Sequence, residues 1–167
     1  PNTETVLSKV GWAGNYVLNT SDVQLLVDAN LASLKTDPVV DRNIGYELFQ
    51  NSSGEWIGGT AITYKHHGVL DWKTSRYRTY ARLYVPKGSQ LIRVTGVLKN
   101  DRVKNPKGEA GTADVSEEFG MSVFGAFTSI EPGETHALVF EYKIADAVAT
   151  TIRQGTYDLT VFKQNGA

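Results

Sequence analysis

The sequence predicts an all-β fold: an antiparallel two-sheet β-sandwich, immunoglobulin-like or related, with about eight or nine strands and little helix. Three observations lead to this prediction. Short segments alternate apolar and polar side chains, which is the period of a strand with one buried face. Clusters of Gly, Pro, Asn, Asp and Ser separate these segments and are typical of turns. No segment shows a long helical period.

The clearest strand is the stretch Tyr77–Pro86, around which we expect the rest of the chain to be organised. Its odd positions predict a core face, formed by Tyr77, Thr79, Ala81, Leu83 and Val85. Its even positions predict an outward polar stripe of guanidinium and phenol groups, formed by Arg78, Tyr80, Arg82 and Tyr84. Pro86, followed two positions later by Gly88, indicates that the strand ends there.

The first half of the chain predicts three further strands. Residues 1–20 are expected to form an N-terminal arm or a short helix, and residues 21–167 a single β-sandwich domain. Residues 22–28 predict a strand with Val23, Leu25 and Val27 facing inward. Residues 42–50 and 56–66 predict a hairpin around the loop 51–54. Gly58-Gly59 within that hairpin indicates a bulge or a close backbone approach. Residues 67–75 then predict a connection with Trp72 at its tip.

The second half predicts the remaining strands and one long loop. Residues 91–97 are rich in β-branched side chains and predict a strand, whereas the polar stretch 99–118 predicts a mobile loop of about 20 residues. Residues 121–130 and 135–144 predict two strands joined by a turn at Pro132-Gly133, where a fixed φ precedes a free one. A helical turn is expected within 145–154, and a final strand at 156–163 completes the sheets.

The composition excludes several classes of protein. Seventeen basic residues against eighteen acidic ones give a net charge of −1, which argues against nucleic acid as a partner. There is no cysteine, so disulfides, thiol nucleophiles and Cys-based zinc sites are excluded. No apolar run approaches the roughly 20 residues of a spanning helix. The chain begins at Pro1, and we interpret it as a piece of a longer or processed protein. Membrane attachment is therefore expected only through an anchor absent from this chain.

The sequence contains no recognisable catalytic or cofactor-binding motif. It lacks a G-x-S-x-G elbow, a phosphate-binding glycine loop, a dinucleotide-binding pattern and an H-E-x-x-H motif, so we predict no catalytic residues and no cofactor. A calcium site is one possible use of four aspartates that bracket a single loop, although they lack the spacing of an EF-hand. These aspartates are Asp22, Asp28, Asp37 and Asp41.

Aromatic residues give the candidate binding sites. Trp12, Trp56 and Trp72 lie near predicted loops or strand ends, where an indole either fills the core or forms a platform for a sugar ring. The polar stripe would make a flat strip about 20 Å long, suited to a neighbouring protein strand, an anionic envelope polymer or a glycan. The alternative is that cross-strand acids such as Glu47 or Glu141 neutralise the arginines within the sheet.

Several segments together resemble one family. They are VDANLASLKTD at 27–37, ITYKHHG at 62–68, YRTYARLYVPKGSQLI at 77–92, EFGMSVFGAFTSIEPGETHALVFEYKI at 118–144 and LTVFKQNG at 159–166. In this combination they resemble the C-terminal β-rich region of the domain-of-unknown-function family 4012, bacterial envelope-anchored proteins. The chain departs from that family at Ala32-Ser33-Leu34-Lys35, where members usually show Gly-Gly-Asn-Lys.

The resemblance implies an extracellular, non-catalytic cell-surface domain, adhesive or structural, within a membrane-anchored envelope protein. It transfers no catalytic residue to this chain. The alternative is a carbohydrate-binding module that uses exposed aromatics, and a third hypothesis is an accessory domain of an envelope enzyme. The expected partners are a protein or a glycan or other envelope polymer at the cell surface, and self-association is possible.

Overall fold

The structure is a computed structural model that describes residues 21–164. Within this range the chain forms nine strands, one α-helix and a single turn of 3-10 helix at Asp37–Val39. The elements are β1 (Asp22–Asn30), β2 (Val40–Gln50), β3 (Trp56–His66), β4 (Tyr77–Pro86), β5 (Gln90–Thr95), β6 (Asp114–Glu118), β7 (Met121–Ile130), β8 (Thr135–Lys143), α1 (Asp146–Arg153) and β9 (Leu159–Phe162). The arm or helix expected at residues 1–20 lies outside the described part.

The strands form two sheets, and the predicted all-β sandwich is confirmed. One sheet has five strands in the order β6-β7-β4-β1-β9, and the other has four in the order β2-β3-β8-β5. All neighbouring pairs are antiparallel except β1 and β9, which are parallel. The immunoglobulin-like subtype stays a prediction.

Strand β4 has the predicted facing. It lies in the middle of the five-stranded sheet, between β1 and β7. Its odd side chains, from Tyr77 to Val85, are all buried. All of them except Thr79 belong to the main core, together with large buried side chains of the other sheet and of β7, including Tyr64, Phe124, Phe140 and Tyr142. Helix α1 adds Val148 and Ala149 to this core.

The predicted facing of β1 is wrong. Leu25 lies opposite Tyr84, whereas Leu26 lies opposite the inward Leu83, so Val23, Leu25 and Val27 are on the outer face of the sheet. There they pack in a second apolar cluster, whose other members are Tyr84, Met121, Val123 and Phe162. The inner face of β1 carries Asp22, Gln24, Leu26 and Asp28. These polar groups are tolerated in the interior because they are hydrogen-bonded, as Gln24 is to Tyr142 and Thr60 of the other sheet.

The structure gives further detail of two predicted features. The predicted turn at Pro132-Gly133 is present between β7 and β8, where it connects the two sheets, and Gly133 adopts a positive φ of 82°. Gly58 marks a close approach rather than a bulge, because the β2–β3 register is unbroken. A Cβ at Gly58 would lie only 2.8 Å from Cζ of Tyr142.

The stretch predicted as a mobile loop, 99–118, is partly regular. Its last five residues form the edge strand β6, which pairs with β7, so the loop ends at residue 113. Within the loop, the Asp101 carboxylate accepts hydrogen bonds from the N–H groups of Val103 and Lys104. The side-chain amide of Asn105 donates a hydrogen bond to the Glu109 carbonyl and accepts one from the Glu109 N–H. The loop therefore has its own hydrogen-bonded structure, and its mobility stays a prediction.

Candidate functional site

Two loops meet beside the beginning of β4. One follows β1 and the other connects β3 to β4. They are joined by a β-bridge between Leu34 and Thr74 and by a hydrogen bond of 2.9 Å from the Lys35 N–H to the Lys73 carbonyl. The two loops consequently present one continuous surface.

This surface is apolar and exposed. Leu34 is 56% exposed, Val69 66%, Leu70 65% and Trp72 82%. We call these four residues the apolar loop end. Single exposed apolar residues are common, but a group of large ones at one place on the surface indicates an interaction site. The predicted position of Trp72 at the tip of the connection is confirmed.

The turn that carries Trp72 is fixed by Asp71. The Asp71 carboxylate accepts hydrogen bonds from the N–H groups of Lys73, at 2.8 Å, and Thr74, at 2.7 Å. These bonds lower the pKa of Asp71 below its usual value, because they stabilise the ionised form. The Lys73 ammonium lies 4.9 Å from the centroid of the Trp72 ring, within the range of a cation–π contact.

His66 fixes the base of the same loop. Its buried ring donates from Nε2 to the Ser75 carbonyl at 2.8 Å and accepts the Gly68 N–H at Nδ1 at 3.0 Å. One imidazole therefore bonds both ends of the segment that carries Val69, Leu70 and Trp72. A loop held at its base and at its tip presents its apolar side chains in a defined arrangement, which lowers the entropic cost of binding.

The other loop is backbone-strained. Ala32 and Leu34 have φ values of 56° and 55°, in the left-handed region that residues with a Cβ rarely adopt. Such strain persists only where the surrounding structure imposes it, and it is concentrated at binding and switch sites.

The polar stripe of β4 is internally paired. Arg78 Nε lies 2.6 Å from Oδ2 of Asp101, and Arg82 Nη1 lies 3.4 Å from Oε2 of Glu118. The Tyr80 hydroxyl donates a hydrogen bond to Asp114, and the Tyr84 hydroxyl donates one to Glu118. The Tyr84 ring itself is buried in the second apolar cluster.

The acids that neutralise the stripe are not the expected ones. Glu141 pairs with Arg93, and Glu47 belongs to the other sheet. The carboxylates come instead from the 99–113 loop and from β6, neither of which the sequence placed over this face. Partner binding by the stripe stays a prediction, which retention of an Arg78→Ala, Arg82→Ala double variant on envelope material would test.

The three candidate tryptophans have different environments. Trp72 is the exposed one described above. Trp56 is half-buried and packs against the main core, which is the core-edge alternative rather than a sugar platform. Trp12 lies outside the described residues. Of the two candidate tryptophans within residues 21–164, Trp72 is the exposed one.

The four aspartates predicted as calcium ligands do not converge. Asp22 and Asp28 lie toward opposite ends of β1, and Asp41 contacts Nε2 of His67 at 2.6 Å. Asp28 and Asp37 do meet, but Arg42 lies between them, with its Nε 2.8 Å from Asp28 Oδ2 and its Nη2 2.7 Å from Asp37 Oδ1. A guanidinium therefore occupies the place predicted for a cation. Across residues 21–164, no group of three or more His, Asp or Glu side chains could hold a metal ion.

The two buried aspartates of β1 have structural partners. Asp22 accepts hydrogen bonds from the hydroxyls of Tyr46, at 2.6 Å, and Tyr157, at 2.9 Å. Asp28 accepts hydrogen bonds from the hydroxyls of Thr79 and Tyr77. Burial raises the pKa of Asp22, and it raises that of Asp28 to about 6 although Arg42 acts in the opposite direction.

Sequence reasoning identified Trp72 but missed Leu34, Val69 and Leu70. A signal was present in the segment HGVLDW, since three large apolar residues in a turn-rich connection have no core to enter. What the sequence did not show was that the loop after β1 lies beside this segment.

The comparisons with known proteins found no match. No helix in the described part is long and apolar enough to cross a membrane. No family model matches the chain, and neither a curated protein nor a solved structure matches it.

Proposed function

We propose that this chain is a non-catalytic, extracellular cell-surface domain, adhesive or structural, of a membrane-anchored envelope protein, and that it contacts its partner through the apolar loop end. The observation that carries the proposal is the exposure of Leu34, Val69, Leu70 and Trp72 on two hydrogen-bonded loops. The envelope location rests on the family resemblance.

The use of the titratable side chains supports a non-catalytic role. Asp22 and Asp28 are bound by internal tyrosine, threonine and arginine groups. The ring of His66 has backbone partners at both nitrogens, and His136 donates to the Gly96 carbonyl at 2.7 Å. Groups committed to such contacts hold the fold together, whereas a nucleophile or a general base must reach a substrate.

A glycan is the second candidate partner, and the position of Trp72 favours it. Its ring is 82% exposed and is flanked by the Lys73 ammonium. An indole face can stack on a sugar ring, and an ammonium group can bond sugar hydroxyls or an anionic substituent.

The test is retention of the purified domain on cell-wall material of the host, with Trp72→Ala as the variant. The matched control is Phe119→Ala, because Phe119 is 80% exposed and lies in the β6–β7 turn, near the far end of β4. We expect Trp72→Ala to reduce retention at least tenfold while its thermal unfolding stays unchanged, and Phe119→Ala to be retained like the wild type. Equal retention of both variants would contradict the proposal.

Tryptophan fluorescence separates the two kinds of partner. Quenching of the wild type by soluble glucan, chitin or peptidoglycan fragments, lost in Trp72→Ala, would identify a glycan. Retention that depends on Trp72 and disappears after protease treatment of the cell-wall material would identify a protein.

A further inference from the structure

The four edge strands of the two sheets differ in how they are protected from pairing with another strand. Edge strands of natural proteins are usually guarded by charge, proline or a bulge. Three of the edges are guarded: β2 and β6 carry charged side chains, and β5 has a register shift between Leu91 and Arg93. The fourth edge, β9, has the sequence LTVF, without charge, proline or bulge.

At every second residue of β9, the backbone N–H and C=O groups point away from β1, toward the side of the strand that has no described neighbour. The Asp22 N–H bonds the Asp158 carbonyl at 2.9 Å, and Asp22 and Gln24 lie opposite Leu159 and Val161 in the parallel register. In a parallel ladder one strand bonds its neighbour through every second residue. The N–H and C=O groups of Leu159 and Val161 therefore point away from β1, where no described strand lies.

Side chains at this edge face the interior without being buried. Val161 shares a face with the inward Gln24 yet is 64% exposed, and Ile44 of β2 lies opposite the fully buried Ile62 yet is 50% exposed. Between them the sandwich is open, and a cleft of about 930 Å³ separates β9 from β2, with Leu26 and Phe162 also in its lining. Pockets of this volume and mixed lining accommodate ligands.

The charge at one end of the cleft is unbalanced. Three carboxylates, those of Asp28, Asp37 and Asp41, line it together with two cations, Arg42 and Lys163. Asp28 and Asp37 share Arg42. The Asp41 side chain is 78% exposed and contacts Nε2 of His67. A cationic side chain of a partner would offset this excess of negative charge.

We propose that the β9–β2 cleft binds an extended peptide segment of a partner protein, which adds to β9 as a further strand of the five-stranded sheet. Backbone hydrogen bonds to Leu159 and Val161 hold the peptide, and its alternate apolar side chains fill the space between Val161, Leu26 and Ile44. A lysine or arginine of the peptide reaches Asp37 and Asp41. This second contact surface is separate from the apolar loop end and uses none of its residues.

The test begins with a display library of random 12-residue peptides, selected on the wild-type domain. The variant is Val161→Lys, which places a charge on the inward face of β9. The matched control is Val115→Lys on β6, the other edge of the same sheet, where Val115 lies opposite the inward Phe124 and is 62% exposed. Both variants change an exposed valine, so both are expected to keep the wild-type unfolding temperature.

We expect the selected peptides to alternate apolar and polar residues and to contain a lysine or arginine. The best of them, labelled with fluorescein, should bind Val161→Lys at least tenfold more weakly than the wild type by fluorescence anisotropy. Its affinity for Val115→Lys and for Trp72→Ala should change less than twofold. Replacing its basic residue with glutamate should weaken binding at least fivefold.

Three outcomes would overturn the proposal. One is a selection that enriches no peptide with preference for the wild type over Val161→Lys. Another is that the selected peptide loses as much affinity for Val115→Lys as it does for Val161→Lys. The third is self-association of the wild type in sedimentation experiments that Val161→Lys abolishes, since the occupant of the edge would then be a second copy of the chain. Because Trp72 lies outside this cleft, failure here leaves the retention test of the loop end unaffected.

Discussion

Leu83 and Arg82 are neighbours on β4 with opposite environments. Leu83 is buried in the main core, whereas the Arg82 side chain is 37% exposed and its ion pair with Glu118 spans 3.4 Å. We expect Leu83→Ala to lower the free energy of unfolding by about 2–5 kcal/mol, through lost burial and a cavity. Arg82→Ala should lower it by less than about 1 kcal/mol. Urea unfolding of both variants measures the difference, and the reverse ranking would contradict the facing of β4.

Asp28 is a residue whose charge costs stability. Its pKa in the folded state is about 6, above the reference value of 3.8, so the folded state holds the proton more tightly than the unfolded state. The stabilisation from this proton is complete below about pH 4 and is lost as the pH rises through 6. Asp28→Asn removes the titration but keeps the size of the side chain.

We therefore expect the stability of the wild type, relative to Asp28→Asn, to fall between pH 4 and pH 7. The fall should be on the order of 2–3 kcal/mol, the free energy equivalent of the pKa difference. Urea unfolding of both proteins at several pH values gives this stability difference. Contributions from groups that titrate in both proteins cancel in the difference. A difference that does not change with pH would show that Asp28 has an ordinary pKa.

At the scale of the elements, the 99–113 loop is tied to β4 through Asp101. The Asp101 carboxylate pairs with Arg78 at 2.6 Å and also accepts two backbone N–H groups of its own turn. Arg78 is the first cause of the lowered pKa of Asp101. Asp101→Ala removes all three contacts, so we expect a loss of about 1–3 kcal/mol and faster proteolytic cleavage within the loop.

Limited proteolysis with identification of the cleavage sites by mass spectrometry checks this prediction. The control is Glu109→Ala in the same loop, because the Glu109 side chain is exposed and its ion pair with Lys99 spans 3.3 Å. Cleavage of the control should be close to that of the wild type. If Asp101→Ala is cut no faster than the wild type, the carboxylate does not hold the loop.

At the scale of the whole molecule, the sequence predicted the fold well where a strand has one apolar and one polar face. Strand β4 is such a case, and its facing was predicted correctly because every odd residue suits a core. In β1 the same rule failed. The apolar Val23, Leu25 and Val27 suggested the core face, but the sandwich interior holds Asp22 and Asp28 instead. Their partners, Tyr46, Tyr157 and Arg42, lie on other elements, so no local pattern could reveal them.

Only part of the candidate site was predicted, and the reason is similar. The position of Trp72 follows from its own segment, where a turn-rich connection has to present it. The apolar loop end also needs Leu34, which joins it through the bridge to Thr74, 40 residues along the chain. Strand β6 was missed because DVSEE carries three acids, a composition that protects an edge strand but lacks the alternation of a half-buried one.

The arrangement of the sheets predicts a gradient of local stability. Strands β1, β3, β4, β7 and β8 have a neighbour on both sides, whereas β2, β5, β6 and β9 are edges. Opening an edge strand breaks one hydrogen-bonded ladder, and opening a central strand breaks two together with the core beneath it. We expect the amides of β4 and β3 to exchange with solvent only through global unfolding, and those of β9 to exchange fastest among the strands. Native-state hydrogen exchange followed by NMR measures this order. Amides of Leu159 and Val161 that exchange as slowly as those of β4 would contradict it and would show that the β9 edge is already covered in solution.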